Sequence, residues 1–247
     1  MADEWWKDFF GGLVVEFWKA AMTPGVTRAE ADFLSRTLRL APGARVLDIA
    51  CGAGRLTIEL AARGCRMTGV DISSEFLGAG RSAVRESGLE IEWREADMRD
   101  LPWESAFDAA FCAGSSFGFL GDEGDAAFLK AVSRTLRPGG RFFADFKAAE
   151  SILPNFRESR EMTLGDLRFE SKNRYDPASG TMESVYTITR DGDSETKRAV
   201  HRIYTTREIL RMLSDAGFGE LETYGSLEGE TFRLGSPNLL VVVAKTR

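Results

Sequence analysis

The chain has 247 residues, of which 43% are hydrophobic and 28% are charged, so a disordered, collagen-like or coiled-coil protein is excluded. It has one histidine and three cysteines, at positions 51, 65 and 112, which exclude HExxH and CxxC zinc sites, a two-histidine iron site and a dense disulfide framework. The net charge of −6 disfavours nucleic acid as a partner.

The beginning of the chain indicates where the protein resides. Acidic residues stand where a signal peptide needs basic ones, and no run of 18 apolar residues occurs. We therefore expect a cytoplasmic protein with reduced cysteines and no membrane partner.

Residues 3–20 carry apolar side chains at the spacing of an amphipathic helix, interrupted at Gly11 and Gly12. A second helix is predicted over 27–40. The first stripe is unusually aromatic, which favours either a lid over a substrate or a helix that packs on the core. Its aromatic members are Trp5, Trp6, Phe9, Phe10, Phe17 and Trp18.

The segment from 45 to 147 alternates short apolar runs with helical stretches, the pattern of βαβ units on a parallel sheet. Strands are predicted over 45–50, 66–71, 91–97, 107–114 and 141–146. Helices are predicted to start near Gly54, Ser73 and Asp122, with Ser73 as an N-cap. The run Pro138-Gly139-Gly140 is expected to stop the last of these helices before the fifth strand.

Residues 148–205 break that alternation, because they read as antiparallel hairpins over 167–176, 181–189 and 197–205. A helix then begins at Thr206 and ends at Gly217, and strands follow over 218–225 and 238–245. The predicted fold is α/β: a Rossmann-like, seven-stranded, mostly parallel sheet whose last strand is antiparallel. Its expected parts are an N-terminal helical lid (1–40), a core (41–147), an inserted antiparallel flap (148–205) and the end of the core sheet (206–247).

The run VLDIACGAGR, residues 46–55, predicts a strand that enters a glycine turn and then a helix. Gly52 and Gly54 allow a tight bend and close approach of a ligand to the backbone, while the helix start presents free N–H groups. A structural tight turn is the alternative reading of this run alone.

Carboxylates follow two further predicted strands. Asp71 ends the second strand and can accept hydrogen bonds from both hydroxyls of a ribose. Asp97 ends the third strand beside Met98, which together suit the amino group and the apolar face of an adenine. Because Asp48, Asp71 and Asp97 would repel a polyanion, they favour a cationic nucleoside without phosphate.

With these motifs the sequence resembles a class I S-adenosylmethionine-dependent methyltransferase over residues 41–147, and more loosely in its last strands. Ala50 departs from the family pattern, which has glycine there. The resemblance implies S-adenosylmethionine as cofactor, with the ribose on Asp71 and the adenine beside Asp97, Met98 and Ile72. The implied cofactor-binding residues are Asp48, Ala50, Cys51, Gly52, Gly54, Arg55, Asp71, Ile72, Asp97, Met98 and Cys112.

Two other functions share part of this pattern. A nicotinamide dehydrogenase shares the glycine turn and the ribose acid, but it leaves Asp97 with Met98 without a role and does not reproduce GxGxxG. A non-catalytic S-adenosylmethionine-binding regulator remains an alternative to an enzyme, and a macromolecule methyltransferase is disfavoured.

The expected methyl acceptor is a small molecule for N- or O-methylation, since the Asn/Asp-Pro-Pro-aromatic run, the paired-glutamate loop and a basic arm are missing. No metal is expected, and the protein is expected to be a monomer or homodimer. A general base is optional for an amine and useful for a hydroxyl. Candidates for catalysis are His201, Tyr204 and Tyr224, and for substrate binding Trp6, Trp18, Phe117, Phe119 and Glu228; each also has a structural reading.

Overall fold

A computed structural model describes residues 4–246. Residues 1–3 of the expected N-terminal lid, and the final residue, lie outside the described part. The larger sheet has seven strands in the order β10-β11-β5-β4-β1-β2-β3. Their bounds are β1 Arg45–Ile49, β2 Arg66–Asp71, β3 Ile91–Glu95, β4 Phe107–Cys112, β5 Leu136–Phe146, β10 Phe218–Tyr224 and β11 Leu239–Lys245.

Only β11 runs antiparallel to its neighbours, β5 and β10, whereas the other pairs are parallel. The predicted Rossmann-like sheet with an antiparallel last strand is therefore confirmed. The centre of the sheet is buried on both faces, which is why its strands read as nearly continuous apolar runs.

Helices pack against the sheet. Their bounds are α1 Trp6–Phe9, α2 Gly12–Ala21, α3 Pro24–Thr37, α4 Arg55–Ala62, α5 Ser74–Val84, α6 Gly121–Thr135, α7 Ala149–Ile152 and α8 Thr206–Asp215. Ser73 caps α5 as predicted, because its side chain accepts a hydrogen bond from the Phe76 amide. The predicted start of the second helix at 27 is wrong, since Thr23 caps a helix that has Pro24 in its first turn.

The N-terminal stripe is divided into α1 and α2, as the two glycines predicted. Gly11 is extended, with φ −159° and ψ 169°, and so ends helical geometry between the two segments. The fifth strand begins at Leu136 rather than at 141, because the Pro-Gly-Gly run continues the strand with an irregular register instead of ending a helix. The helix before it has already ended at Thr135.

A second sheet forms the flap, with antiparallel strands β6 Ser159–Leu164, β7 Leu167–Asp176, β8 Thr181–Arg190 and β9 Asp193–Arg202 in sequential order. Three of these were predicted. The prediction missed β6, whose first five residues are exposed and so show no apolar alternation. It also placed the third hairpin strand too late, because the pairing of β8 with β9 begins at Asp193.

Two apolar clusters pack on the faces of the large sheet, and a third joins α1 and α2 to the flap. In the third cluster Phe17 stacks on Phe169 with ring centroids 4.7 Å apart. The N-terminal helices and the flap therefore pack as one cover above the carboxyl ends of the strands. Within residues 4–246, no helix has the length and apolar character needed to cross a membrane.

Candidate functional site

A cavity of about 590 Å³ lies between the carboxyl ends of the central strands and the cover formed by α1, α2 and the flap. Such a position, where the strands of an open α/β sheet end, is the usual ligand site of this architecture. The cavity has two halves. The first is lined by the residues that follow β1, β2 and β3, and the second by residues that follow β4 and β5 and by the flap.

The glycine turn forms the floor of the first half. Ala50, Gly52 and Gly54 all have positive φ, at 56°, 56° and 77°. A Cβ at Gly52 would meet no atom within 4 Å, so the backbone there borders open space. Ala50 adopts the left-handed conformation despite its side chain, which is the strain that the departure from glycine implies.

Gly54 serves a different purpose from Gly52. A Cβ at Gly54 would lie 2.1 Å from Trp93 of β3, and Gly69 and Gly80 also border that indole ring. Gly54 is absent from the cavity lining. It lets the start of α4 pack closely on the sheet and so holds the turn in position.

Asp71 ends β2 beside the turn and is buried, with 8% of its surface exposed. One carboxylate oxygen accepts the Gly52 amide at 2.7 Å and the other accepts the Ser73 amide at 2.8 Å. Burial raises the pKa of Asp71, while these backbone hydrogen bonds act in the opposite direction. Because the two oxygens together have about four lone-pair positions and the backbone amides do not use all of them, acceptor capacity remains for a ligand hydroxyl.

Asp97 follows β3 and lines the same half with Met98 and Ile72. Arg99 donates to one Asp97 oxygen from its amide and its Nε, and to the other at 2.5 Å from its Nη2. Burial acts to raise the pKa of Asp97, but the Arg99 hydrogen bonds outweigh it and hold that pKa below its ordinary value. The carboxylate therefore stays ionised, with acceptor capacity left on one oxygen.

An ion pair closes the far end of this half. Arg55, the first residue of α4, contacts Glu30 of α3, and both line the cavity. The paired atoms, Nη1 of Arg55 and Oε2 of Glu30, are buried and have no hydrogen bond of good geometry within residues 4–246. This pair presents both signs of charge to a ligand.

The second half contains a buried polar pair. Lys147 Nζ lies 3.1 Å from His201 Nε2, which joins the end of β5 to β9 of the flap. Burial, together with the Lys147 charge, lowers the pKa of His201 well below its ordinary value. Burial also lowers the pKa of Lys147 to about 8, although Asp145 acts in the opposite direction.

Aromatic rings surround this pair. Phe119 contacts His201 with ring centroids 4.6 Å apart, and Trp5 lies 5.8 Å from the same imidazole. Phe10 and Tyr186 also line the cavity. The second half is therefore an apolar chamber with one polar corner.

The structure brings many of the predicted site residues to this cavity. Those that line it are Ala50, Cys51, Gly52, Arg55, Asp71, Ile72, Asp97 and Met98 from the expected cofactor set, and His201, Trp6, Trp18 and Phe119 from the expected acceptor set.

Seven predicted residues do not line the cavity: Asp48, Gly54, Cys112, Phe117, Tyr204, Tyr224 and Glu228. The Tyr204 hydroxyl donates instead to Asp125, at 3.0 Å. The Tyr224 hydroxyl donates to Glu222 at 2.5 Å.

Of the other five, Gly54 packs on Trp93 as described above, three are held in the interior and one is exposed. Phe117 packs on Phe146 in the core, with ring centroids 4.9 Å apart, and Cys112 is buried in the same cluster. Asp48 lies beneath the turn and accepts the Thr57 hydroxyl at 2.5 Å. Glu228 is exposed in the loop after β10.

The sequence prediction singled out neither Lys147 nor Asp145. Asp145 lines the cavity and accepts the Ser115 amide at 2.9 Å and its hydroxyl at 2.7 Å. One signal was present, because a lysine directly after the apolar strand that ends at Phe146 falls at the same edge as Asp71 and Asp97.

Comparisons with known proteins agree with this architecture. A family model described as a methyltransferase domain matches residues 46–140. The ubiquinone biosynthesis O-methyltransferase of Xanthomonas oryzae pv. oryzae (strain PXO99A) is 32% identical over 146 residues, which are 55% of this chain and 58% of that protein. The chain therefore spans little more than half the length of this curated relative.

Two solved structures cover nearly the whole chain. An S-adenosylmethionine-dependent methyltransferase from Clostridium acetobutylicum ATCC 824 has a TM-score of 0.81 at 20% identity, covering 90% of this chain and 92% of that one. The CcbJ methyltransferase from Streptomyces caelestis has a TM-score of 0.79 at 21% identity, covering 92% of each chain. At these identities the similarity shows a shared fold.

Proposed function

We propose that the chain is a class I S-adenosylmethionine-dependent methyltransferase that transfers a methyl group from S-adenosylmethionine to a hydroxyl of a small, largely apolar molecule. One observation carries this proposal. A single cavity joins the glycine turn and Asp71 to an aromatic chamber that contains Lys147 and His201.

The first half of the cavity fits the cofactor. The space above Gly52 leaves room for a ligand against the backbone, and Asp71 keeps acceptor capacity for a ribose hydroxyl. Asp97 and Met98 offer an acceptor and an apolar face to adenine. Arg55 and Glu30 offer opposite charges to the carboxylate and ammonium of the methionine end.

The charges of this half favour S-adenosylmethionine over a dinucleotide. Asp71 and Asp97 stand where a nucleoside would lie, and two carboxylates repel phosphate groups but attract a sulfonium cation. When bound, this cofactor supplies an activated methyl group on its sulfonium, so the protein mainly has to align and shelter the reactants.

The second half suggests the acceptor. Its walls are aromatic, so they favour a flat or apolar molecule and exclude water from the reacting atoms. Its polar corner offers the Nζ of Lys147, which lies beside the Nε2 of His201, to one hydroxyl group. An amine acceptor is disfavoured because the Lys147 ammonium would repel its protonated form. The curated relative in Xanthomonas is named as an O-methyltransferase, which agrees with a hydroxyl acceptor.

The chain's own residues have separate tasks in this proposal. Phe119 and Trp5 orient the acceptor by contact with its apolar body. Neutral His201 is a hydrogen-bond acceptor beside Lys147 rather than a strong base, because the adjacent lysine charge opposes its protonation. Proximity and orientation then supply most of the rate enhancement.

The test is methyl transfer from cofactor labelled in its methyl group to panels of phenols, aliphatic alcohols and primary amines. We expect products heavier by one methyl group, with phenols or other hydroxyl compounds as the best acceptors. Preferential methylation of amines would contradict the O-methylation proposal. Tight cofactor binding without turnover on any panel, or on extracted metabolites, would instead support a regulatory binding protein.

A control variant is needed to link turnover to the described cavity. Asp71→Asn should lose cofactor affinity, and therefore turnover at limiting cofactor, whereas Asp100→Asn changes an exposed carboxylate three residues after Asp97 and should preserve both. Equal turnover of the wild type and Asp71→Asn at limiting cofactor would place the reaction outside this cavity.

A further inference from the structure

The Nζ of Lys147 has few hydrogen-bond or ion-pair partners for the ammonium group of a lysine that lines a cavity. Its Nζ contacts His201 Nε2 at 3.1 Å, and no carboxylate oxygen lies within 4 Å of it in residues 4–246. The nearest acid in sequence, Asp145, is engaged by both the amide and the hydroxyl of Ser115. The lysine N–H groups that do not face His201 are therefore free to bind a ligand in the cavity.

The surroundings of Lys147 favour a ligand that is an anion or that can become one by losing a proton. The titratable groups in this half of the cavity are Asp145 on β5, Tyr186 on β8 and His201 on β9. His201 stays neutral, and burial raises the pKa of Tyr186, so it also stays neutral. In an aromatic chamber that excludes water, an ammonium attracts an oxyanion far more strongly than in bulk solvent.

Resting on the proposed function, we propose that Lys147 takes the proton of the acceptor's hydroxyl and holds the resulting oxyanion, so that the acceptors are phenols or enols. His201 is then a positioning residue, because its Nε2 receives an N–H of Lys147 and directs Nζ toward the acceptor. Neither role follows from the glycine turn or from the family match, which ends at residue 140.

The proton balance of this step is simple. The O–H bond of the acceptor breaks, its proton goes to the lone pair of the neutral Lys147 amine, and the electron pair stays on oxygen. An ammonium and an oxyanion are left in contact. The Lys147 pKa of about 8 supplies the neutral amine near that pH.

The same balance selects the acceptor class. A phenol has a pKa of about 10, as in tyrosine, so proton transfer to Lys147 is only slightly uphill and the ion-pair contact offsets the difference. An aliphatic alcohol has a pKa of roughly 16, close to that of water, and would be ionised only at a large free-energy cost. Aliphatic alcohols should therefore be poor acceptors.

Binding of 4-nitrophenol tests this without turnover, because only its phenolate absorbs strongly in the visible range. The titration uses the full-length protein with the demethylated cofactor product bound. We expect the apparent pKa of bound 4-nitrophenol to fall by about one unit in the wild type, which is a tenfold preference for the phenolate. Lys147→Met should abolish that shift.

Two further variants separate charge from proton transfer. Lys147→Arg keeps a cation that does not give up its proton, so it should bind the phenolate but turn over about 10²-fold more slowly. Lys172→Met removes an exposed lysine of β7 and should behave as wild type in both assays. Retained affinity of Lys147→Met for the demethylated product shows that the variant is folded.

Acceptor reactivity gives an independent readout. Across a series of substituted phenols, Lys147→Met should turn over only when the pH exceeds the pKa of the acceptor. The wild type should also turn over below that pKa, because Lys147 takes the proton. Equal phenolate preference in the wild type and Lys147→Met would overturn the proposal. If 4-nitrophenol shows the Lys147-dependent shift but no acceptor is methylated, the oxyanion site stands and the proposed function fails.

Discussion

The two halves of the cavity are built in different ways. The first half, which is the proposed cofactor half, comes mainly from residues 50–98, in which each strand end is followed directly by the residues that line it. Glu30 of α3 is added from outside that segment. The second half, which is the proposed acceptor half, combines α1 with the ends of β4 and β5 and with the flap strands. Its residues are therefore up to about 200 positions apart in sequence. The Trp5 and His201 rings, at 5.8 Å, illustrate that separation.

This difference shows which features short-range sequence can specify. In the cofactor half, backbone amides carry much of the geometry, as in the hydrogen bonds from Gly52 and Ser73 to Asp71. In the acceptor half, side chains from separate elements meet only after folding. We therefore expect variants in the first half to change cofactor binding and variants in the second to change turnover alone.

Among the variants that test this difference, Gly54→Ala should have the largest effect, on both stability and cofactor affinity. Its new Cβ would combine a positive φ with a 2.1 Å contact to Trp93, at a combined cost of about 3 kcal/mol in the free energy of unfolding. Cofactor affinity should fall as well, because the turn is displaced. Denaturant unfolding and calorimetric titration measure the two effects.

Gly88→Ala is the matched control for that variant, since Gly88 also has a positive φ of 70° but a Cβ there would meet nothing within 4 Å. Its free energy of unfolding should fall only by the cost of placing a Cβ at positive φ, about 1 kcal/mol. If the two variants were equally destabilised, close packing on Trp93 would not be the reason for glycine at position 54.

His201→Ala tests the second half by removing the group that positions Lys147. Turnover should fall about 10²-fold while cofactor affinity stays unchanged. His201→Gln restores a hydrogen-bond acceptor and should recover part of the loss. A parallel loss of cofactor affinity would show that the two halves are not independent.

Asp71→Asn should weaken cofactor binding about tenfold, because it replaces one acceptor oxygen by an NH₂ donor in the cofactor half. The turnover number at saturating cofactor should change little. Calorimetry measures the affinity and steady-state kinetics the turnover. An unchanged affinity would argue against the ribose on Asp71.

Asp48→Asn should have the smallest effect, on the pH dependence of stability. Burial raises the pKa of Asp48 to about 7, against the hydrogen bond from Thr57. The folded protein therefore binds more protons than the unfolded chain between about pH 4 and 7, and stability falls as the pH rises through that range. Between pH 5 and 7 the wild type should lose on the order of 1 kcal/mol in its free energy of unfolding through Asp48, and the variant should not. Thermal unfolding curves that kept the wild-type pH dependence would contradict this.

Much of the architecture could be predicted from local patterns. The boundaries of β2 and β7 were predicted to the residue, and the cap at Ser73 was predicted as well. The missed β6 has no buried alternation, and the start of β5 was missed because a Pro-Gly-Gly run usually ends regular structure. In both cases pairing with a neighbouring strand outweighs local propensity.

The local sequence predicts the proposed cofactor half, because a strand, a glycine turn and a following helix form one local unit whose backbone groups face the ligand. For His201 the sequence left an inward and a solvated side chain open, and the structure buries it on β9. Two features follow only from the three-dimensional packing: Tyr204 and Tyr224 lie outside the cavity, and Lys147 contacts His201. The physical reason is that a contact between β5 and the flap depends on how two separate sheets pack, which no local spacing encodes.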